Sequence, residues 1–319
     1  MNLLKHLIKN RSFDVYQPFG QTGRVNPFYI DHWISKFQNE LPYKICIVRD
    51  FDLLDDDKMD QTVEVLQKKY QKILVCSEGM TTMEPLGWSR FPKMYEKVIW
   101  INNERPVPEH YQREFFWPAH WFRTIEFYSK IQNSVLNCPT KKYQCSLRIK
   151  NQRLWKDRLL ETLAKENVLK HINLAIRHAN PFVPNSPCFY KSEGEQFNEE
   201  LPSKEQGQSY SIIVAETSDL QITEKTWQAL FHSVPILFHS GPVIKKLTDY
   251  GFQINFEGLP IDYSLVDVTE NLVLTLKNVL NDIEDVYQMN LKTCKQNFDI
   301  VSSENKFNNI FKPLFFDKI

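Results

Sequence analysis

The first half of the chain alternates between short apolar runs and polar segments. The runs KICIVRDFD, KILVCSEG and KVIWINNE occupy residues 44–52, 72–79 and 97–104. Continuous apolar runs of this length are typical of parallel strands that are buried on both faces. The segment 57–71 between the first two runs carries apolar residues at helical spacing. Strand, helix and strand in this order predict a βαβ unit with a parallel sheet.

The second half repeats the alternation. Apolar runs predict strands within residues 141–149, 171–176, 210–216, 234–239 and 252–256. Amphipathic spacing predicts helices within residues 154–167, 223–233, 242–251 and 265–280, the third ending at Gly251. Two α/β halves predict an α/β fold of two Rossmann-like domains that face a cleft, followed by a helical C-terminal tail.

The irregular segments set the predicted domain limits. Residues 106–136 are aromatic and basic with three prolines, which indicates a connection between domains, and residues 179–208 indicate a polar loop. We predict an N-terminal acceptor-side domain at 1–137, a nucleotide-sugar-binding domain at 138–285, and a tail at 286–319 that packs back on the N-terminal domain. One large doubly wound domain is the alternative. In either case a ligand would meet the carboxyl ends of the strands.

Composition narrows the class of protein. The 319 residues carry a formal net charge of zero, which argues against a strongly cationic nucleic-acid coat but leaves room for a local basic groove. The six cysteines form no C-x-x-C pair, which indicates reduced thiols. The N-terminal apolar stretch is too short for a signal peptide, and none is long enough to span a membrane. We therefore expect a cytoplasmic protein without a membrane partner, and the sequence predicts no oligomeric state.

The segment 216–226 is the main candidate for chemistry. Glu216 ends a predicted strand, Thr223 fits a helix N-cap, and Glu224 and Lys225 fall in the first helical turn. A first-turn glutamate also complements the helix dipole, so a purely structural cap explains the triplet slightly better on local grounds. Alternatively, the carboxylate accepts two ribose hydroxyls while the lysine and the helix N–H groups bind phosphate.

The wider sequence favours the second interpretation. The segment ITEKTWQALFHSVPILFHSGPVIKKLTDYGFQINF resembles the C-terminal domain of fucosyltransferase-type GT-B glycosyltransferases and of related viral and bacterial glycosyltransferase-like proteins. The upstream segment CSLRIKNQRLWKDRLLETLAKENVLK is similar to the same group, and the resemblance extends over residues 143–256. It implies that Glu224 binds ribose, that Lys225 binds phosphate, and that Arg158 also binds phosphate. Arg153 or Arg148 is the alternative phosphate arginine.

The resemblance also implies a reaction. The chain would transfer a sugar from a UDP- or GDP-linked nucleotide sugar to a hydroxyl group, with no further cofactor. Arginine, lysine and a helix N-terminus can stabilise the departing diphosphate without a metal. The D-x-D within RDFDLLDDD at 49–57 leaves a metal-dependent reaction as an alternative.

An inverting transfer needs a carboxylate or histidine that takes the proton of the acceptor. Asp50 and Glu78 follow predicted strands of the N-terminal half, and Gly79 beside Glu78 allows a ligand to approach closely. Asp31 and His32 are further candidates. Each of these acids could equally be an ordinary solvated loop residue.

The acceptor stays open between a glycan and a hydroxymethylated base in phage DNA. Four residues of one segment could stack on a base or sugar, although packing between the domains explains them better: Phe116, Trp117, Trp121 and Arg123. A protein of another class also fits the sequence, namely a non-catalytic nucleotide- or glycan-binding protein on a glycosyltransferase scaffold.

Overall fold

The structure is a computed structural model, and its described residues form two compact units. They are residues 3–17, 30–49, 56–76, 96–102, 114–128, 138, 140–149, 154–176, 204–215 and 222–319. Unit 1 comprises Met1–Phe122 and Asn308–Ile319, and unit 2 comprises Arg123–Phe307. The domain limits at residues 137 and 285 stay predictions.

Unit 1 contains a sheet that is parallel except for its first pair of strands. Within the described residues the order is β1-β2-β3-β4-β5-β6, and β1 and β2 are antiparallel. The strands are β1 (Leu7–Lys9), β2 (Phe13–Tyr16), β3 (Ile45–Val48), β4 (Ile73–Cys76), β5 (Val98–Asn102) and β6 (Glu114–Phe116). The three strands predicted from apolar runs are confirmed as β3, β4 and β5. The strand β6 corrects the prediction for residues 106–136, since part of that connection belongs to the sheet.

The strand β2 is not predicted from the sequence, because a charged residue interrupts its apolar pattern. Asp14 is 1% exposed, forms an ion pair with Lys44 at 2.7 Å, and accepts a hydrogen bond from the hydroxyl of Tyr70. Burial by itself raises the pKa of Asp14, but the hydrogen bonds from Lys44 and Tyr70 outweigh it and hold the pKa below its ordinary value. This buried carboxylate connects β2 to Lys44, directly before β3, and to Tyr70, shortly before β4.

Three of the described helices in unit 1 contribute to an aromatic core. The helices in unit 1 are α1 (Ile30–Ser35), α2 (Asp56–Gln67) and the start of α3 (Ala119–Tyr128), as far as Phe122. The end of the last helix of the chain, α10 (Glu304–Phe316), also belongs to this unit from Asn308 onward. The ring of Trp33 lies 4.7 Å from Phe37, 4.8 Å from Trp117 and 5.5 Å from Phe315 between centroids. Its Nε1 donates to Asn308 Oδ1 at 2.7 Å, so a polar contact fixes the ring within the core.

The same core corrects one expectation about the aromatic segment. Trp117, Trp121 and Phe122 are fully buried, and the ring of Trp121 packs edge-on against Phe311 at 5.7 Å. Arg123 is also buried. Buried rings cannot stack on a ligand, so the stacking interpretation is wrong for these residues, and the side chain of Phe116 lies outside the described residues.

Unit 2 contains a fully parallel sheet. Within the described residues its order is β10-β9-β7-β8, formed by β7 (Cys145–Ile149), β8 (Ile172–Ile176), β9 (Ile212–Val214) and β10 (Ile236–Phe238). The helices are α4 (Leu154–Lys165), α5 (Lys204–Gly207), α6 (Glu224–Leu230), α7 (Gly241–Asp249), α8 (Thr269–Val279) and α9 (Ile283–Val301). Together with unit 1, these elements confirm the α/β fold with parallel sheets and a helical C-terminal region.

The predicted strand at 252–256 is wrong. The segment is extended, with Phe252, Ile254 and Phe256 buried, but it pairs with no strand of the described residues. Two asparagines of α9 take the place of a neighbouring strand. Asn297 accepts from the backbone N–H of Gln253 at 2.9 Å and donates to its carbonyl at 2.8 Å. Asn290 makes the equivalent pair with residue 257, at 2.8 and 2.7 Å.

Two further expectations concern membrane-spanning helices and the state of the cysteines. No helix of the described residues is long and apolar enough to cross a membrane. Cys46, Cys145 and Cys294 are buried free thiols, and Cys138 is a half-buried one. Burial raises the pKa of Cys46, Cys145 and Cys294 to about 12, which keeps these thiols protonated and unreactive at neutral pH.

Candidate functional site

The Thr-Glu-Lys triplet opens α6, the helix that connects β9 to β10. Thr223 is the N-cap, with extended backbone, and its Oγ1 accepts a hydrogen bond from the backbone N–H of Lys225 at 3.4 Å. Because β9 and β10 are parallel neighbours, a helix that connects them starts at the carboxyl end of the sheet. The start of α6 therefore lies at the sheet edge where α/β proteins bind ligands.

Glu224 and Lys225 form an ion pair at this edge. Lys225 Nζ lies 2.9 Å from Glu224 Oε1 and 3.4 Å from Thr223 Oγ1. Each charged side chain is 23% exposed, so both can be reached by solvent. An ion pair with this exposure contributes about 0–1 kcal/mol to stability. A ligand that separates the two side chains therefore gives up little binding free energy.

The chemistry of this pair suits a sugar phosphate. A carboxylate accepts hydrogen bonds only, so Glu224 can receive the two adjacent hydroxyls of a ribose. The ammonium group of Lys225 donates hydrogen bonds on a flexible stem and can turn from the carboxylate to a phosphate oxygen. The same three residues thus act as a helix cap in the structure and present complementary groups for a ligand.

Arg158 is engaged elsewhere in unit 2. Its guanidinium lies 3.1 Å from Asp267 and 3.0 Å from Glu270, and its side chain is 55% exposed. Burial raises the pKa of Asp267, but hydrogen bonds from Thr269 and the charge of Arg158 bring it below its ordinary value. Arg158 thus ties α4 to the start of α8, and this structural role competes with the predicted role in phosphate binding.

A histidine that the sequence did not single out follows β10 at the same edge of the sheet. The ring of His239 stacks on Trp155 with centroids 4.3 Å apart and planes 17° apart. Lys156 Nζ lies 4.9 Å from the centroid of Trp155. Burial lowers the pKa of His239 to about 4, so its imidazole is neutral at neutral pH.

Two buried polar atoms at this edge have no hydrogen-bond partner among the described residues, His239 Nδ1 and Ser240 Oγ. The signal available in the sequence was the position of the His-Ser pair directly after an apolar strand. It could not be distinguished from an ordinary strand end without the packing of Trp155.

The remaining predicted residues are spread over both units. Asp50, Glu78, Arg153 and Glu216 lie outside the described residues, and so does most of the D-x-D segment. Arg148 is half-buried on β7. In unit 1, Asp31 of α1 forms an ion pair with Arg49, which follows β3, and His32 is exposed. The roles assigned to all these residues stay predictions.

Within the described part of the chain, no group of three or more histidine, cysteine, aspartate or glutamate side chains could hold a metal ion.

Comparison with known proteins gives a structural likeness but no family. No protein-family model matches the chain, and no curated protein matches it. A solved structure from Listeria monocytogenes, assigned as a UDP-N-acetylglucosamine 2-epimerase, matches over 95% of this chain and 96% of its own. The sequence identity is 12% and the TM-score is 0.41. At this TM-score the likeness supports no conclusion about the activity of the chain.

Proposed function

We propose that the chain is a GT-B glycosyltransferase that uses a nucleotide sugar and binds the diphosphate end of its donor at the start of α6. The observation that carries the proposal is the Thr223-capped pair of Glu224 and Lys225 at the carboxyl edge of the parallel sheet of unit 2. The resemblance of residues 143–256 to fucosyltransferase-type enzymes points to the same residues. Both lines of support rest on the same triplet, one through its position at the sheet edge and the other through the sequence pattern around it.

In this proposal the donor replaces the internal ion pair. Glu224 accepts the ribose hydroxyls, Lys225 turns to the diphosphate, and Thr223 keeps the helix start in place. Arg158 or Arg153 supplies a second cation to the diphosphate. Arg158 can do so only by leaving Asp267 and Glu270, and its 55% exposed side chain is able to move. Charge on the leaving diphosphate grows during transfer, so these cations stabilise the transition state more than the bound donor.

The transfer itself breaks the bond between the anomeric carbon and the phosphate oxygen, and forms a bond from that carbon to the acceptor oxygen. The nucleoside diphosphate leaves with the electron pair of the broken bond. A base takes the proton of the acceptor hydroxyl, and Glu78 and Asp50 are the proposed candidates. The acceptor is a glycan or a hydroxymethylated base of DNA.

Donor binding is tested by isothermal titration of UDP, GDP and their sugar conjugates. We expect one of these nucleotides to bind, and Glu224→Gln or Lys225→Met to weaken that binding about tenfold, since a hydrogen bond to a charged group is worth about 1.5–3 kcal/mol. Lys245→Met is the matched control, because Lys245 is an exposed lysine of unit 2 that pairs with Asp249 at 3.1 Å. Absence of binding by every nucleotide, or equal effects of Lys225→Met and Lys245→Met, would contradict the proposal.

Transfer is tested separately from binding. The protein is incubated with the donor that binds and with either hydroxymethylcytosine DNA or a panel of glycans, and the products are weighed by mass spectrometry. A mass gain of one glycosyl unit on either acceptor class supports the transferase and identifies the acceptor. Tight donor binding without transfer to any acceptor would instead favour a non-catalytic nucleotide-binding protein.

A further inference from the structure

A cavity of about 650 Å³ lies within unit 2, away from the start of α6. Its lining comes from the segment that precedes β7, from Tyr210 before β9, from Ser233 before β10, and from one face of α9. The residues that precede parallel strands lie at the amino edge of a sheet. The cavity is therefore at the opposite edge from the proposed donor site, and its volume is in the range of small-molecule sites, about 300–1,000 Å³.

Lys141 is the cation of this cavity that is most withdrawn from water. Its Nζ donates to the carbonyl of Gly207 at 2.8 Å and lies 4.9 Å from the centroid of the Tyr287 ring. Among the described residues, no carboxylate forms an ion pair with this ammonium group. Burial lowers the pKa of Lys141 to about 8, so the amine still carries its proton at pH 7 while part of its hydration is lost.

An ammonium group has three N–H donors. The carbonyl of Gly207 takes one, and the face of Tyr287 interacts with the charge, which is a weaker partner than an anion. An anionic group in the cavity would therefore meet a partly desolvated ammonium group that still has N–H donors for it. This is the arrangement in which a charge-assisted hydrogen bond is strongest.

Aromatic rings form the wall beside this lysine. Tyr210 and Tyr287 pack edge to face with centroids 5.8 Å apart, and Phe298 also lines the cavity. Aromatic walls favour a flat ring as the occupant, since offset and edge-to-face ring pairs add to the area that is buried. Tyr210 also bonds with Glu284, and this contact is one cause of the raised pKa of its hydroxyl.

Among the residues that the structure describes, the other charged residues that line the cavity are one lysine and two carboxylates, and all three are exposed. Lys295 and Asp299 are both exposed and stand four residues apart on α9, where side chains are neighbours. Glu284 is exposed, and its carboxylate accepts a hydrogen bond from the hydroxyl of Tyr210. Of the charged lining residues described, Lys141 is the one that is not exposed, so its charge is the one that a ligand within the cavity meets away from solvent.

We propose that this cavity is a second ligand site, which binds a small flat organic anion, an aromatic carboxylate, with the anionic group against Lys141 and the ring against Tyr210 and Tyr287. The site is separate from the start of α6 and does not depend on the proposed transferase activity.

The probe for this site is 2-naphthoate, whose fluorescence anisotropy is followed while the full chain is added at pH 7. Two further molecules separate the parts of the proposal: 2-naphthalenemethanol has the ring without the charge, and acetate has the charge without the ring. We expect saturable one-to-one binding of 2-naphthoate, at least about tenfold tighter than that of either comparison molecule. No saturable binding, or equal binding of the uncharged analogue, would overturn the proposal.

The location is tested with a matched pair of adjacent lysines. Lys141→Gln should weaken 2-naphthoate binding about tenfold, whereas Lys142→Gln, at an exposed position, should change it less than about twofold. Tyr287→Leu should also weaken binding, because it removes the ring wall and leaves the lysine. Equal effects of the two lysine variants would place the probe elsewhere and refute the site.

A measurement on the unaltered protein guards against misfolding of a variant. The chain is treated briefly with acetic anhydride, with and without saturating 2-naphthoate, and acetylation of each lysine is read by peptide mapping. We expect the probe to slow acetylation of Lys141 several-fold and to leave Lys142 unchanged. Unaltered acetylation of Lys141 in the presence of bound probe would contradict the proposal.

Discussion

Replacing Asn297 with leucine should destabilise unit 2 strongly although the two side chains have the same branched arrangement of heavy atoms. Asn297 is 2% exposed and exchanges two hydrogen bonds with the backbone of Gln253, at 2.9 and 2.8 Å. Asn297→Leu leaves one N–H and one carbonyl of the backbone without their partners. An unsatisfied group costs about 1–3 kcal/mol when it is buried, which would give about 2–6 kcal/mol for the two groups. The lower half is expected, because these hydrogen bonds are only partly buried and because leucine adds apolar burial.

Urea unfolding of the variant measures this loss, and Gln296→Leu is the control. Gln296 precedes Asn297 on α9 but is exposed, so its replacement should change the free energy of unfolding by less than about 0.5 kcal/mol. Hydrogen exchange gives a local readout, since the amide of Gln253 should lose protection in Asn297→Leu alone. If both variants unfold at the same urea concentration, or if the Gln253 amide stays protected, the asparagine does not act as a substitute for a strand.

Two further predictions concern α7 and the residues that precede it. Gly241→Ala should cost about 3 kcal/mol, because a Cβ there would overlap the carbonyl oxygens of Tyr263 and Leu265. Ser240→Ala removes a hydroxyl with no partner among the described residues and should change the stability in urea by less than about 0.5 kcal/mol; similar losses for both variants would contradict the overlap. The His239 pKa of about 4 lies below its unfolded value, so the neutral ring stabilises the fold above about pH 6.5, and up to about 3 kcal/mol is lost as the pH falls toward 4. His239→Gln should remove this part of the pH dependence in urea titrations at a series of pH values, and an unchanged profile would show that His239 is not its source.

The buried strands were the most predictable part of the fold. The runs that became β3, β4 and β5 are continuous and apolar, because strands in the middle of a parallel sheet are covered on both faces. The strands β1, β2 and β6 were missed for different reasons. Asp14 breaks the pattern of β2, β1 is mostly exposed, and β6 lies in a segment whose prolines and aromatic residues indicate a connection.

The candidate site was predictable to a similar degree. Thr223 was identified as an N-cap from its position alone, because capping depends on residues two or three apart in the chain. The contacts of Arg158 with Asp267 and Glu270 span more than a hundred residues, and no local pattern indicates them. The stacking of Trp155 on His239 is equally distant in sequence.

The sequence by itself determined the α/β class, the position of most strands and helices in unit 2, and the helix start that carries Glu224 and Lys225. These features follow from periodicity and from contacts within one turn of chain, which any short segment contains. The tertiary structure decided that the extended segment at 252–256 pairs with α9 and that Arg158 pairs with Asp267 and Glu270. It also decided that the ammonium group of Lys141 is partly desolvated. Each of these depends on groups that come together only when distant segments pack, and the free energy of such contacts is not present in any one segment.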